Sequence, residues 1–186
     1  APEDCCRAAR YLFENSLDVL GVAPDSIALM GDSAGGNLAA VVSLMARDRG
    51  EFTPRRQMLF YPATHWDHTE SSPFPSVREN GKDYVLTAQR VSEFMELYMR
   101  GPGDMTHPYF SPLLAKDLSR QPRTLIVTAE KDPLRDEGEA YGEKLREAGG
   151  QASIYRMMGA LHGFLSLPAG TAQVKRSYEM INAFLR

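Results

Sequence analysis

The chain has 186 residues, 43% of them hydrophobic, and its formal net charge is -3. This length predicts one domain with a buried apolar core. The small negative charge gives no electrostatic reason to expect nucleic acid or an anionic membrane as a partner, and no apolar run approaches the length of a membrane span. The two cysteines, Cys5 and Cys6, are adjacent. Because they cannot form a disulfide framework, they favour reduced thiols and a cytoplasmic location.

Hydrophobic periodicity and turn residues predict alternating helices and strands. In chain order the predicted elements are a helix at 2–20, a strand at 26–30, a helix at 36–47, a strand at 57–61, a loop at 63–81, a helix from the N-cap Thr87 to Gly101, a strand at 124–129, a helix at 138–148, a strand at 152–157 and a helix at 171–185. Strands separated by helices predict a mainly parallel sheet with helices on both faces.

The segment Gly31-Asp32-Ser33-Ala34-Gly35-Gly36 joins the first predicted strand to the helix that follows it. A strand, then Gly-x-Ser-x-Gly, then a helix is the context of a nucleophile elbow. The turn is so sharp that the residues around the serine must be small, and glycine also tolerates unusual backbone angles. The pattern predicts that the Ser33 hydroxyl lies at the carboxyl end of the strand, next to the first free N–H groups of the helix. It indicates acyl transfer through a serine ester.

A serine hydroxyl is a poor nucleophile at neutral pH and needs a base within hydrogen-bond reach. His162 follows the last predicted strand, and Asp132 directly follows the third. The order Ser, Asp, His is the one expected with a nucleophile elbow, and the carboxyl ends of parallel strands meet at one edge of the sheet. We therefore expect His162 to act as the base for Ser33, with Asp132 holding the imidazole.

Each of these residues also has an alternative interpretation. Asp132 precedes Pro133, an arrangement typical of a helix N-cap, and Glu130 and Asp136 are rival carboxylates. His162 alone would be interpreted as a surface-loop histidine.

Two other groups are interpreted as non-catalytic. His65-Trp66-Asp67-His68 looks like a metal cluster but has no further ligand spacing, so we predict solvent-facing loop residues and no metal site. The apolar stripe of the helix after Thr87 predicts packing against the core, and lining of an acyl site is the alternative; the stripe consists of Val91, Phe94, Met95 and Tyr98.

Several segments together resemble the hormone-sensitive-lipase-like carboxylesterases of the α/β-hydrolase fold. They are residues 31–37 at the elbow, Ser111-Pro112-Leu113, residues 130–138 (Glu-Lys-Asp-Pro-Leu-Arg-Asp-Glu-Gly) and His162-Gly163-Phe164. The resemblance covers essentially the whole chain as a single domain, 1–186, in which residues 64–110 form a cap-like or lid-like segment.

The resemblance implies a function and roles for the site residues. It implies that Ser33 is the nucleophile, Asp132 the acid and His162 the base of a carboxylesterase that hydrolyses short-chain esters without metal or organic cofactor. It also implies that the backbone N–H of Ala34 is one oxyanion donor. The supporting elbow residues are Gly31, Asp32, Gly35 and Gly36.

The sequence departs from the family in one respect. The family carries a His-Gly-Gly-Gly motif upstream of the elbow, and this chain contains no such motif. Its four strands resemble the fifth to eighth strands of the family, so we expect the C-terminal portion of a longer esterase, with only the second half of the sheet. The elbow strand would then be an exposed edge, which an N-terminal segment or a second copy would complete. The alternative functions are an impaired hydrolase that acts by binding or assembly, and an amidase or peptidase on the same fold.

Overall fold

A computed structural model describes residues 1–186, and helices and strands alternate along most of the chain. The elements are α1 (Pro2–Glu14), α2 (Ser16–Leu20), β1 (Ala28–Asp32), α3 (Ala34–Arg49), β2 (Arg56–Phe60), α4 (Pro75–Asn80), α5 (Ala88–Tyr98), β3 (Arg123–Lys131), α6 (Arg135–Glu147), β4 (Ala152–Leu161) and α7 (Ala172–Leu185). Single 3-10 turns lie at Pro24–Ser26, Pro102–Asp104, Pro112–Leu114 and Phe164–Ser166.

The four strands form one parallel sheet in the order β1-β2-β3-β4. Because parallel neighbours need crossover connections, α3 links β1 to β2 and α6 links β3 to β4. The predicted parallel sheet is confirmed, and β1, the elbow strand, lies at one of its edges. All four carboxyl ends meet at the same side of the sheet, which is where ligands bind in such folds.

Successive strand residues point to opposite faces of the sheet, and both faces are covered. On one face Phe60 packs with Phe184 of α7. On the other face Leu59 packs with Leu44 of α3 and Tyr141 of α6. The predicted helices on both faces are therefore confirmed.

Two of the predicted elements are wrong in detail. The helix predicted over 2–20 divides into α1 and α2 at Asn15, whose side-chain amide donates to the Tyr11 carbonyl at 2.9 Å. Such local side-chain bonds compete with helix propagation. The loop predicted over 63–81 contains α4, which starts with a proline at its first turn, where proline is favoured.

Residues 64–110 lie between β2 and β3 and contain α4 and α5. Thr87 caps α5 as predicted, because its side chain accepts from the Arg90 N–H at 3.2 Å. Val91 of α5 is buried against Ala63 and Leu134, which follow β2 and β3. No helix of the chain is both long enough and apolar enough to cross a bilayer.

Candidate active site

The elbow places Ser33 between β1 and α3 in a strained conformation. Ser33 has a φ of 54°, in the left-handed region that non-glycine residues rarely adopt, and its N–H donates to the Phe60 carbonyl at 2.9 Å. A Cβ on Gly31 would overlap the carbonyl oxygen of Gly35, and a Cβ on Gly36 would lie 2.9 Å from Pro62 Cβ. Close packing therefore requires glycine at 31 and 36.

Ala34 is the first residue of α3 and directly follows Ser33, the N-cap of the helix. The first N–H groups of a helix have no intrahelical acceptor, and they carry the positive end of the helix dipole. Ala34 is exposed and Ser33 is half-buried. This corner can donate a hydrogen bond to an oxygen that develops negative charge next to the serine.

The structure brings Ser33, His162 and Asp132 into one chain of hydrogen bonds. Ser33 Oγ lies 2.9 Å from His162 Nε2, and His162 Nδ1 lies 2.7 Å from Asp132 Oδ2. The Asp132 side chain is fully buried, whereas that of His162 is 12% exposed. A buried carboxylate behind a partly accessible imidazole is the arrangement that activates a serine.

Asp132 follows β3 directly, and both of its carboxylate oxygens have partners. Oδ2 faces His162, while Oδ1 accepts the Leu134 N–H at 2.9 Å. The N-cap of α6 is Leu134, so Asp132 is not the cap that the alternative interpretation predicted, and its Oδ1 instead closes a turn before the helix. His162 follows β4, and Gly163, with a φ of 79°, turns the chain immediately after it.

The rival carboxylates have other partners. Glu130 Oε2 accepts the Gly159 N–H at 2.6 Å, and this bond holds the pKa of the Glu130 carboxyl below its usual value. Gly159 has a φ of 69° and lies where the β3–β4 register shifts, so Glu130 stabilises the irregular end of β4 that leads to His162. Asp136 instead pairs with Arg135 at 2.7 Å.

Tyr61 is a part of the site that sequence reasoning missed. It has a φ of 36° and is buried, and its ring lies edge-on to the His162 imidazole with 4.8 Å between centroids. Its hydroxyl donates to Asp32 Oδ2 at 3.2 Å. Burial, and next the Asp32 carboxylate, raise the pKa of the phenol, so it remains a donor. The sequence offered two signals: Tyr61 ends the strand beside β1, and Tyr61-Pro62 matches the segment of the resembled family that helps cover the active site.

The prediction that His65, Asp67 and His68 face solvent is wrong. Asp67 and His68 are buried, and His65 is partly buried. His68 Nε2 lies 2.6 Å from Glu137 Oε2, and both side chains are fully buried. Asp67 accepts the Thr69 N–H at 2.9 Å. No group of three or more His, Cys, Asp or Glu side chains in residues 1–186 is arranged to hold a metal ion.

A cavity of about 100 Å³ opens beside the elbow. Its lining comes from the start of α3, the segment after β2, and α5. Six of the seven lining residues are hydrophobic, namely Ala34, Leu38, Ala63, Phe94, Met95 and Tyr98, and Asn37 is the polar one. The Asn37 amide is occupied, since it donates to the carbonyls of Ala63 and Phe110 at 2.8 and 2.9 Å. Of the α5 stripe, Val91 packs in the core while the other three residues line this cavity.

The fold and the site define an α/β hydrolase with a serine at its nucleophile elbow. The family model described as "alpha/beta hydrolase fold" matches residues 1–166. The chain therefore belongs to the α/β-hydrolase family, in its hormone-sensitive-lipase-like carboxylesterase branch.

Similar proteins carry esterase names. An arylesterase of Saccharolobus solfataricus is 38% identical over 98% of this chain and 57% of its own length. The carboxylic ester hydrolase LipN of Mycobacterium tuberculosis is 40% identical over 98% of this chain and 49% of its own length. The chain thus spans about half the length of these curated relatives.

Solved structures of esterases are also similar to this chain. A hyperthermophilic esterase from the archaeon Pyrobaculum calidifontis superimposes with a TM-score of 0.91 at 42% identity, over 100% of this chain and 60% of that one. The thermostable carboxylesterase EstE1, cloned from a metagenomic library, gives 0.90 at 38% identity, over 99% of this chain and 62% of that one.

Proposed function

We propose that this chain carries the catalytic triad of a serine carboxylesterase, with Ser33 as nucleophile, His162 as base and Asp132 as acid. The observation that carries the proposal is the continuous pair of hydrogen bonds from Ser33 Oγ through His162 to Asp132, at 2.9 and 2.7 Å. The esterase names of the relatives support ester hydrolysis as the reaction class.

The reaction proceeds in two steps through a serine ester. Ser33 Oγ attacks the ester carbonyl while His162 Nε2 takes the hydroxyl proton, and the oxyanion that forms accepts a hydrogen bond from the Ala34 N–H. The C–O bond then breaks, and His162 returns the proton to the leaving alcohol. Water next attacks the acyl-enzyme with His162 again as base, which releases the acid and restores Ser33. Asp132 stabilises the imidazolium in each half.

The apolar cavity supports short acyl chains as substrates. It adjoins Ala34, so a substrate carbonyl at the oxyanion position places its substituent against Phe94 and Met95. The cavity is small and its lining is almost entirely apolar, which suits a short acyl chain.

Hydrolysis of p-nitrophenyl butyrate, compared with p-nitroanilide substrates, tests this proposal. We expect release of p-nitrophenol by the chain, slower cleavage of the anilide, and loss of both with Ser33→Ala. The sequence has no His-Gly-Gly-Gly segment, and each oxyanion donor contributes about 10²- to 10³-fold in turnover, so the assay must resolve slow rates. Faster cleavage of the anilide would make the chain an amidase or peptidase, and a rate that Ser33→Ala leaves unchanged would overturn the proposal.

A second candidate function is binding or assembly through β1. This strand is at the edge of the sheet, and Met30 within it is 49% exposed. Unpaired strand edges accept further strands from partners. A chain that fails to hydrolyse esters but forms a defined dimer, lost when a proline replaces Leu29, would favour this candidate over the esterase.

A further inference from the structure

One face of α4 packs against the loop that carries Asp132. Ser76 and Asn80 lie four residues apart in this helix, so their side chains share a face. Ser76 is fully buried and Asn80 is 4% exposed. Buried polar side chains require hydrogen-bond partners, and the partners of both residues lie between Glu130 and Asp136.

Ser76 bonds the loop on the side that follows Asp132. Its hydroxyl donates to the Pro133 carbonyl at 2.8 Å. Its backbone N–H donates to Asp136 Oδ2 at 2.7 Å, and the Asp136 N–H donates to Ser76 Oγ at 3.2 Å. The first turn of α6 is thereby tied to the first turn of α4.

Asn80 bonds the loop at Asp132 itself. Its side-chain amide donates to the carbonyl of Glu130 at 3.3 Å and to that of Asp132 at 3.4 Å. These two carbonyls flank Lys131, the last residue of β3. The Asn80 amide therefore holds the backbone on both sides of Lys131, where β3 ends and Asp132 follows.

We propose that Ser76 and Asn80 are positioning residues that hold the Asp132 carboxylate against His162. The inference rests on the proposed function, because it assigns Asp132 as the acid. Within the loop itself the Leu134 N–H bonds the Asp132 carboxylate, and Arg135 bonds the carbonyls of Asp132 and Glu130. The bonds from Ser76 and Asn80 add anchoring from α4, outside the loop. A displacement of about 1 Å in a catalytic group costs on the order of 10²-fold in rate.

The test uses Ser76→Ala, Asn80→Leu and a matched control in the same helix. Arg78→Ala is the control, since Arg78 is exposed and donates to the Ser72 carbonyl at 2.7 Å rather than to the acid loop. The first readout is the proton resonance of His162 Nδ1–H, observed by NMR and assigned with His162→Gln. The second is the pseudo-first-order rate of Ser33 labelling by a fluorophosphonate, measured against probe concentration. Circular dichroism verifies that each variant is folded.

We expect the His162 resonance to move upfield or broaden in Ser76→Ala and Asn80→Leu, and to stay unchanged in Arg78→Ala. The maximal labelling rate should fall about 10- to 100-fold in the first two variants, with the half-saturating probe concentration unchanged. If Asn80→Leu does not fold, Ser76→Ala, which removes a single hydroxyl, carries the test alone.

Three results would overturn the inference. They are a wild-type chain without the resonance, a folded Ser76→Ala variant identical to wild type in both readouts, and an equal loss in Arg78→Ala. If the wild-type chain shows the resonance but is not labelled, the proposed function fails while the NMR comparison still decides whether α4 positions Asp132.

Discussion

The Tyr61 ring packs edge-on against the His162 imidazole, with 4.8 Å between the centroids and 60° between the planes. The same side chain reaches Asp32, the residue before Ser33, through its hydroxyl. A single buried tyrosine thus contacts both the proposed base and the elbow of the proposed nucleophile. Its φ of 36° is sterically costly for a bulky residue, and such strain is found mainly where surrounding contacts impose it.

Substitutions at Tyr61 are expected to separate these two contacts. Tyr61→Phe removes only the bond to Asp32, so it should cost about 1 kcal/mol of unfolding free energy and leave fluorophosphonate labelling of Ser33 nearly intact. Tyr61→Ala removes the ring that supports His162, so it should cost about 3–5 kcal/mol and slow labelling strongly. Urea unfolding and labelling kinetics measure both effects. Tyr109→Phe is the control, because it removes a bond to Asp48 at the other end of α3; equal slowing there would refute this role of Tyr61.

The elbow should tolerate a methyl group at Gly35 and not at Gly31. An added Cβ at Gly31 overlaps the Gly35 carbonyl, whereas a Cβ at Gly35 meets nothing closer than Asp32 Oδ1 at 3.9 Å. Overpacking against backbone cannot relax cheaply, so Gly31→Ala should lower the unfolding free energy by about 3 kcal/mol or more. Gly35→Ala should stay within about 1 kcal/mol of wild type. Thermal unfolding of the two variants compares them directly, and similar losses would contradict the elbow geometry.

The buried His68–Glu137 pair should make stability depend on pH. Burial alone lowers the pKa of His68, but the Glu137 carboxylate at 2.6 Å outweighs it and raises the pKa above its ordinary value. A raised pKa contributes stability that is fully present below the unfolded value of about 6.5, and that is lost as the pH rises through the folded value.

Urea unfolding of wild type and His68→Gln at pH values below and above about 6.5 tests the direction of the His68 pKa shift. The difference in unfolding free energy between wild type and His68→Gln should be largest below about pH 6.5 and should shrink at higher pH. A His68→Gln difference that grows with pH would show that His68 is neutral when folded.

The cavity beside the elbow should set the acyl-chain preference. Met95→Ala enlarges it, so activity should shift from short p-nitrophenyl esters toward longer ones, by about fourfold in kcat/KM for each additional buried methylene. Leu97→Ala is the control on the same helix, because Leu97 is 84% exposed and does not line this cavity. An unchanged chain-length profile in Met95→Ala would place the acyl group elsewhere.

The parts of the site that follow local rules could be predicted from sequence. The elbow requires small residues within a few positions of Ser33, and Asp132 and His162 each come directly after a strand. Because parallel strands align their carboxyl ends, sequence position predicted that Ser33 and His162 would meet a carboxylate there, with Glu130 and Asp136 as rivals of Asp132.

The parts that depend on distant contacts could not be predicted. Ser76 and Asn80 bond residues 50 or more positions away, and the buried partner of His68 is Glu137, 69 residues further along the chain. Polar, proline-containing sequence over 63–81 is typical of a loop, and the helix within it is stabilised by tertiary contacts rather than by hydrophobic periodicity. Tyr61 resembled an ordinary strand residue, since backbone strain leaves no mark on residue type.

Fluorophosphonate labelling of the folded chain, with its stoichiometry and location determined by mass spectrometry, tests directly whether His162 and Asp132 activate Ser33. A serine activated by His162 and Asp132 should take up one probe molecule per chain at Ser33, and Ser33→Ala and His162→Gln should take up none. A folded chain that remains unlabelled at Ser33, or that is labelled equally in His162→Gln, would contradict the account.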